Sequence, residues 1–218
     1  SLRYFSLGNI TFTDQLGNVI REFNPNEFEV LGGYAFRLSE RSAIGLNGKF
    51  IYSNLTGGIN VGSAGSKSGL AGAVDVSYSY FNEDISLGNT DAVFGFATSI
   101  NNIGNKIAYT TDANRDFLPT NLRLGSTLKM EFDEFNSITG VLDVVKLLVP
   151  TAPVRNGNGD VISGYDNDVG VTLGMIRSFY DAPGQVSTLE DSSVVVEGRF
   201  MEELREYNFS GGLEYWYS

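Results

Sequence analysis

Four stretches carry the atom types that binding or catalysis would use. Asn156-Gly157-Asn158-Gly159-Asp160, followed by Asp166-Asn167-Asp168, sets oxygen ligands at the alternate spacing that hard cations such as calcium favour. No Glu stands where it would complete an EF-hand. Asn, Asp and Gly are also what turns need for positive φ, so the segment reads as a turn-rich loop. Glu131, Asp133 and Glu134 could act as an acid and base pair. They crowd a tight turn, however, where solvated carboxylates are the simpler reading. Gly57-Gly58 and the stretch from Gly62 to Gly69, with Ser63, Ser66 and Ser68, have the composition of a phosphate cradle. They lack the lysine-serine pattern and following helix of a P-loop, and read as an exposed loop. Asp181-Ala182-Pro183-Gly184 is a turn by composition, whose role would be to shape a docking segment.

What the chain lacks is as informative. Its 218 residues contain no Cys and no His. A disulfide framework, zinc fingers and zincins, imidazole-dependent triads and haem held by either residue are therefore excluded. No remaining constellation supports covalent or metal catalysis, and no cofactor is expected. With 26 carboxylates against 15 Lys and Arg, the formal charge of −11 disfavours nucleic acid and anionic lipid as primary partners, because both attract basic side chains. A hydrophobic fraction of 42% can build a core, yet charged residues reach only 19%, below the usual quarter. No segment approaches the roughly eighteen apolar residues of a membrane helix. The nearest, Val141-Leu142-Asp143-Val144-Val145-Lys146-Leu147-Leu148-Val149, is short and carries two charges. The chain opens on Ser1 without a signal-like segment, as a mature or truncated chain would.

The elements that position these residues announce themselves by a period of two. From Asn121 to Phe132 one face reads Leu122, Leu124, Ser126, Leu128, Met130, Phe132 and the other Asn121, Arg123, Gly125, Thr127, Lys129, Glu131. From Leu70 to Phe81, Leu70, Val74, Val76, Tyr78 and Tyr80 oppose Ala71, Ala73, Asp75, Ser77 and Ser79. Ile44, Leu46, Phe50 and Tyr52 alternate with Asn47, Lys49 and Ser53, and Phe28, Val30, Tyr34, Phe36 and Leu38 with Glu29 and Arg37. Phe209, Leu213, Tyr215 and Tyr217 face away from Asn208, Ser210, Gly212 and Glu214. With Leu2 to Thr13, Ala92 to Asn102, Ile138 to Val149 and Val169 to Phe179, the pattern predicts about nine strands, many of roughly ten to thirteen residues. Globular strands have a mode near five or six, whereas a tilted transmembrane strand needs about nine to eleven.

The connections alternate too. Long ones span Asp14 to Glu27, Thr56 to Gly69, Gly104 to Thr120 and Pro150 to Asn167. Tight turns fall at Ser39-Glu40-Arg41-Ser42 and Asp133-Glu134-Phe135-Asn136, with an intermediate one from Glu83 to Asp91. Such asymmetry belongs to outer-membrane barrels. Tyr180 to Glu206 breaks the rule, since parity puts the longest gap on the short side; within it Met201 to Glu206 reads as a helical turn or two. Aromatics crowd strand ends, as at Tyr78, Tyr80 and Phe81 or Tyr215, Trp216 and Tyr217, the place of rings at a membrane interface. Their other reading is packing in a sandwich core. The expectation is an all-β chain, a transmembrane antiparallel up-and-down barrel forming a single domain over 1–218. Its lumen-facing set would be Arg37, Lys49, Asp75, Arg123, Lys129, Glu131, Asp143 and Glu214, and its interface aromatics Tyr78, Tyr80, Tyr215, Trp216 and Tyr217. In a soluble sheet the charged set would instead form the solvated face.

Several segments then resemble a known family. Leu2-Arg3-Tyr4-Phe5-Ser6-Leu7-Gly8-Asn9-Ile10-Thr11-Phe12, Phe50-Ile51-Tyr52-Ser53-Asn54-Leu55, Ile100-Asn101-Asn102-Ile103-Gly104, Leu118-Pro119-Thr120-Asn121-Leu122-Arg123-Leu124-Gly125 and Glu206-Tyr207-Asn208-Phe209-Ser210-Gly211-Gly212-Leu213-Glu214-Tyr215-Trp216-Tyr217 occur in the order seen in the PorV (LptO) family, outer-membrane proteins of the Bacteroidetes type IX secretion system. The resemblance covers nearly the whole chain. It implies a fold similar to the FadL-type transporters, with about fourteen strands in the full barrel, so that this chain would be incomplete at both ends. It also implies location in the cell outer membrane, in contact with lipid and lipopolysaccharide. The implied function is non-enzymatic: to bind the C-terminal signal domain of cargo, collect the cargo from the large outer-membrane translocon and pass it to the cell-surface sortase and attachment complex. The alternative is a FadL-like channel for hydrophobic small molecules.

Overall fold

The computed structural model describes residues 1–58, 65–110, 115–188 and 194–217; Gly62 and Ser63 of the glycine-rich loop lie outside the described residues. The elements in chain order are β1 (Leu2–Ser6), β2 (Ile10–Thr13), β3 (Val19–Phe23), β4 (Asn26–Arg37), β5 (Ser42–Asn54), β6 (Gly69–Leu87), β7 (Thr90–Gly104), β8 (Asn121–Glu131), β9 (Asn136–Leu147), β10 (Val154–Arg155), β11 (Val161–Ser163), α1 (Val171–Arg177), β12 (Gln185–Thr188), β13 (Val194–Glu197), α2 (Arg199–Arg205) and β14 (Tyr207–Tyr217). Eight strands make one sheet in the order β1-β4-β5-β6-β7-β8-β9-β14, and β2-β3, β10-β11 and β12-β13 are two-stranded pairs within its connections. The chain therefore runs up and down, and the sheet is open among the described residues, with β1 and β14 as its edges. No described helix is long and apolar enough to cross a membrane.

The strands are long because the alternation is long. β4, β5, β8, β9 and β14 have 11 to 13 residues, β7 has 15 and β6 has 19. The Glu83 to Asp91 segment proves to be mostly strand, leaving only Gly88 and Asn89 as the turn, with Gly88 at φ 67°. The expected strand from Leu2 to Thr13 is broken: Gly8 takes φ 81°, and Leu7 N–H bonds to Pro25 C=O, so β2 leaves the sheet to pair with β3.

The larger correction concerns Val169 to Phe179, which is not a strand. It forms α1, in which Gly174 is packed, with the buried C-cap Ser178 four residues on, while Leu173 and Ile176 are exposed. In this short apolar run the period of two competes with spacings of three and four, and only the small residues fit against neighbours. Among the described residues the sheet thus has eight strands rather than nine. One consequence is that β9 and β14 are joined by a single long connection from 148 to 206, and the parity conflict at Tyr180 to Glu206 disappears. Every second connection is now a tight turn. Within the long one, the expected helical turn from Met201 is α2.

Two compact units are built on these strands. The first comprises Ser1–Tyr34, Leu46–Asp75 and Asn102–Leu118. Its core is small: Ala71, Ala73, Ile107 and Leu118, with Ile51 and Tyr109 against them. The second comprises Ala35–Gly45, Val76–Asn101 and Pro119–Ser218, and buries Ala92, Thr120, Lys146, Leu148, Ser178, Asp181 and Ala182. Large apolar side chains are largely outside. Along β6 the alternation is inverted relative to a water-soluble sheet: Ala71, Ala73 and Asp75 are buried while Leu70, Val74 and Val76 are exposed.

Candidate functional site

In the first unit, strand alternation sends Lys49 and Asp75 to the small-residue face. Lys49 Nζ lies 2.9 Å from Asp75 Oδ1, and the two side chains are only 8% and 6% exposed. Both ions are held by further polar groups. Lys49 Nζ donates to Asn102 Oδ1 at 2.8 Å, the Asn102 backbone N–H donates to Asp75 Oδ1 at 2.8 Å, and Asn47 Nδ2 reaches Asp75 Oδ2 at 3.3 Å. Asn102 makes both contacts because its backbone is left-handed, φ 60°, a conformation Asn tolerates better than most residues. Gly33 on β4 leaves room for the network, since a Cβ there would collide with Asn47 Oδ1. Nearby, Tyr109 Oη donates to Ser53 Oγ at 3.0 Å, and Ser53 Oγ donates to Glu27 Oε1 at 2.5 Å. A buried ionic seam therefore lies where a soluble sheet would place its hydrocarbon.

The other charged residues expected on this face are not drawn into one cluster. Arg37 folds back to cap its turn, donating to the carbonyls of Ser39 and Glu40. Lys129 pairs with Glu131 at 2.5 Å on an exposed surface, and Arg123 Nε donates to Asn121. Registers in the second unit align Gly125 with Asp143 and Asp143 with Ser210, so Gly125 gives the Asp143 carboxylate its space. Glu214 aligns with Thr139. Ser77, Ser79, Ala97, Ser99, Arg123 and Asp143 line a shallow groove of about 500 Å³ on this face. Of the aromatics, Tyr78 and Tyr80 alternate onto the face of Val74 and Val76, and Tyr215 and Tyr217 onto that of Leu213. Trp216 does not join them. It is paired with Ser137 on the face that carries Glu214.

A second cluster, which sequence reasoning missed, lies in the second unit where β9 runs into the long connection. Lys146 aligns with Leu122 on one side and Tyr207 on the other, which puts a cation on the otherwise apolar face. It is 1% exposed, 2.7 Å from Glu206 and 3.5 Å from Glu203 of α2, with its ammonium 4.6 Å from the centre of the Tyr207 ring. Asp181 completes the group, 1% exposed, with Oδ2 accepting the Thr151 N–H at 3.0 Å. Thr151 Oγ1 donates to Glu206 at 2.7 Å, and the Ala182 N–H to Glu203 at 2.8 Å. Burial, then the neighbouring Glu206 and Glu203 charges, push the Asp181 carboxyl above its ordinary range against its hydrogen bonds to Thr151. One signal was present in the sequence: Lys146 shares its parity with Leu142, Val144 and Leu148. By contrast, Asn156 and Asp160 of the turn-rich loop spend their side chains on closing it, through Asn156 Nδ2 to Asp160 and the Asn158 and Asp160 N–H groups to Asn156 Oδ1.

No curated protein matches the chain. The family described as Type IX secretion system protein PorV matches residues 1–154. That span contains β1 to β9, the Lys49–Asp75 seam and the whole series of tight turns. The chain accordingly belongs to the PorV family and is a component of the type IX secretion system.

Proposed function

We propose that this chain is part of a FadL-like β-barrel of the outer membrane that carries out no catalysis of its own. It would bind the C-terminal signal domain of cargo, collect it from the large translocon protein and deliver it to the cell-surface sortase and attachment complex. The observation that carries the membrane reading is the inverted alternation. Leu70, Val74, Leu142, Phe209 and Leu213 are 48–83% exposed, while Lys49, Asp75 and Ser53 are buried. In water each such apolar side chain would forgo about 1.5–3 kcal/mol of burial. Against hydrocarbon it forgoes nothing, and the polar seam is shielded from lipid. On this reading Arg37, Lys49, Asp75, Arg123, Lys129, Glu131, Asp143 and Glu214 face a lumen, while Tyr78, Tyr80, Tyr215 and Tyr217 meet the membrane interface together with lipid and lipopolysaccharide. Trp216 would stand at the lumen rim. Family membership supports the shuttle role, and the long connections between strands offer the recognition surface.

Deleting the gene in its host should retain signal-bearing cargo inside cells or on the translocon, and the purified protein should capture cargo through its signal domain. Normal surface display in the deletion strain would sink the proposal. The groove near Arg123 and Asp143 favours a second reading, a small-molecule channel. Its Ser-, Arg- and Asp-bearing wall suits polar ligands better than acyl chains. Deletion that impaired uptake of a small molecule while sparing secretion would select that reading.

A further inference from the structure

We propose that Asp181, Glu203 and Glu206 form a site for a hard divalent cation, calcium by preference, which ties the end of α2 to the Asp181–Gly184 turn beside Lys146 of β9. The three residues each offer a carboxylate oxygen, and these oxygens lie within 4.8 Å of one another. Among the described residues Lys146 is their ion-pair partner, leaving two of the three negative charges unopposed in a largely buried group. Packed carboxylates without counter-charge are costly, because burial and mutual repulsion act in the same direction.

A second observation points the same way. Asp181 is 1% exposed, and its Oδ1 is buried with no hydrogen-bond partner, although Oδ2 is satisfied by Thr151. Buried carboxylate oxygens are ordinarily paired, and one set among other carboxylates is suited to accept a cation. Lys146 is already committed to the Glu203 and Glu206 side and to the ring of Tyr207. An all-oxygen donor set with no nitrogen or sulfur selects calcium or magnesium over transition metals. Three carboxylates on two separate segments form an irregular cage. Calcium, with its 6–8 oxygens and loose geometry, fits such a cage with water completing the shell, whereas magnesium demands near-octahedral order. The site would fasten two parts of the long connection to each other independently of what the connection recognises.

The test uses the full chain in detergent, stripped with a chelator and titrated with calcium chloride by calorimetry and thermal unfolding. Expected is one saturable site with a dissociation constant on the order of 10⁻⁴ to 10⁻³ M, a rising unfolding midpoint, and a weaker response to magnesium. Asp181→Asn and Glu203→Gln, both isosteric, should each weaken binding about tenfold or more. Asp160→Asn, in the turn-rich loop, should leave it unchanged. Wild-type protein that shows no calcium response while its stability follows pH would overturn the proposal in favour of a proton shared among the carboxylates. Loss of the response in Asp160→Asn instead would move the site to the other loop, which equally overturns it.

Discussion

Removing one member of the Lys49–Asp75 pair should cost far more than removing both. At 2.9 Å and an effective dielectric constant of about 20, the attraction between the two charges is about 6 kcal/mol. Desolvating two ions that are 8% and 6% exposed costs several kcal/mol for each, so the pair as a whole contributes little net stability. Asp75→Ala leaves the second cost unopposed. It also strips an acceptor from the Asn102 N–H and from the Asn47 amide. A loss of about 3–5 kcal/mol is expected, with Lys49→Met in the same range. In the double variant Lys49→Met/Asp75→Ala neither charge remains, and its cost should lie at least about 2 kcal/mol below that of either single. Urea titration of vesicle-reconstituted protein can follow the loss of β-sheet by circular dichroism. If Asp75→Ala lies within about 1 kcal/mol of wild type, or the single costs simply add, the seam is solvated and the reasoning fails.

Two further perturbations bear on the faces and the turns. Leu213, 83% exposed at the middle of β14, should cost about 2–4 kcal/mol as Leu213→Arg in a bilayer, while Glu214→Arg on the opposite face should be tolerated; equal, small effects of both in reconstituted protein would speak for a soluble sheet. Asp133 in the β8–β9 turn is held below the usual carboxylate range, first by the Phe135 N–H and then by the Asn136 side chain. Because its folded value is the lower one, the stability it contributes is present above about pH 4, the ordinary Asp value, and fades as pH falls through its depressed value. The gap in unfolding midpoint between wild type and Asp133→Asn should close on acidification, and a gap that stayed constant to the lowest accessible pH would refute the assignment.

Period-two alternation sufficed to locate the sheet strands and both faces, because in a strand the face a residue occupies follows from parity alone. The alternation from Asn121 to Phe132 becomes β8 almost residue for residue. It could not say that Lys49 meets Asp75, because strand register and the left-handed Asn102 decide that contact. Nor could it separate strand from helix in α1, where the run is short and Val171, Leu173 and Met175 alternate as a strand would. The acidic cluster was illegible for a different reason: Asp181, Glu203 and Glu206 sit in a connection without period, and Lys146 alone, a charge among apolar neighbours of the same parity, hinted that something must cover it.

The long connection also bears on the order in which the sheet assembles. β8 and β9 close over the few residues from Phe132 to Asn136, whereas Lys146 and Glu206, which meet where β9 and β14 begin to pair, are sixty residues apart. By the logarithmic dependence of loop closure on length, that step carries about 2.5 kcal/mol more entropic cost than the hairpin. β14 should therefore dock late, after the neighbouring hairpins have formed, leaving β9 with a free edge in the meantime. Until α2 arrives, Lys146 waits at that edge as an unpaired cation, and the arrival of Glu203 and Glu206 serves as the latch that ends the exposure.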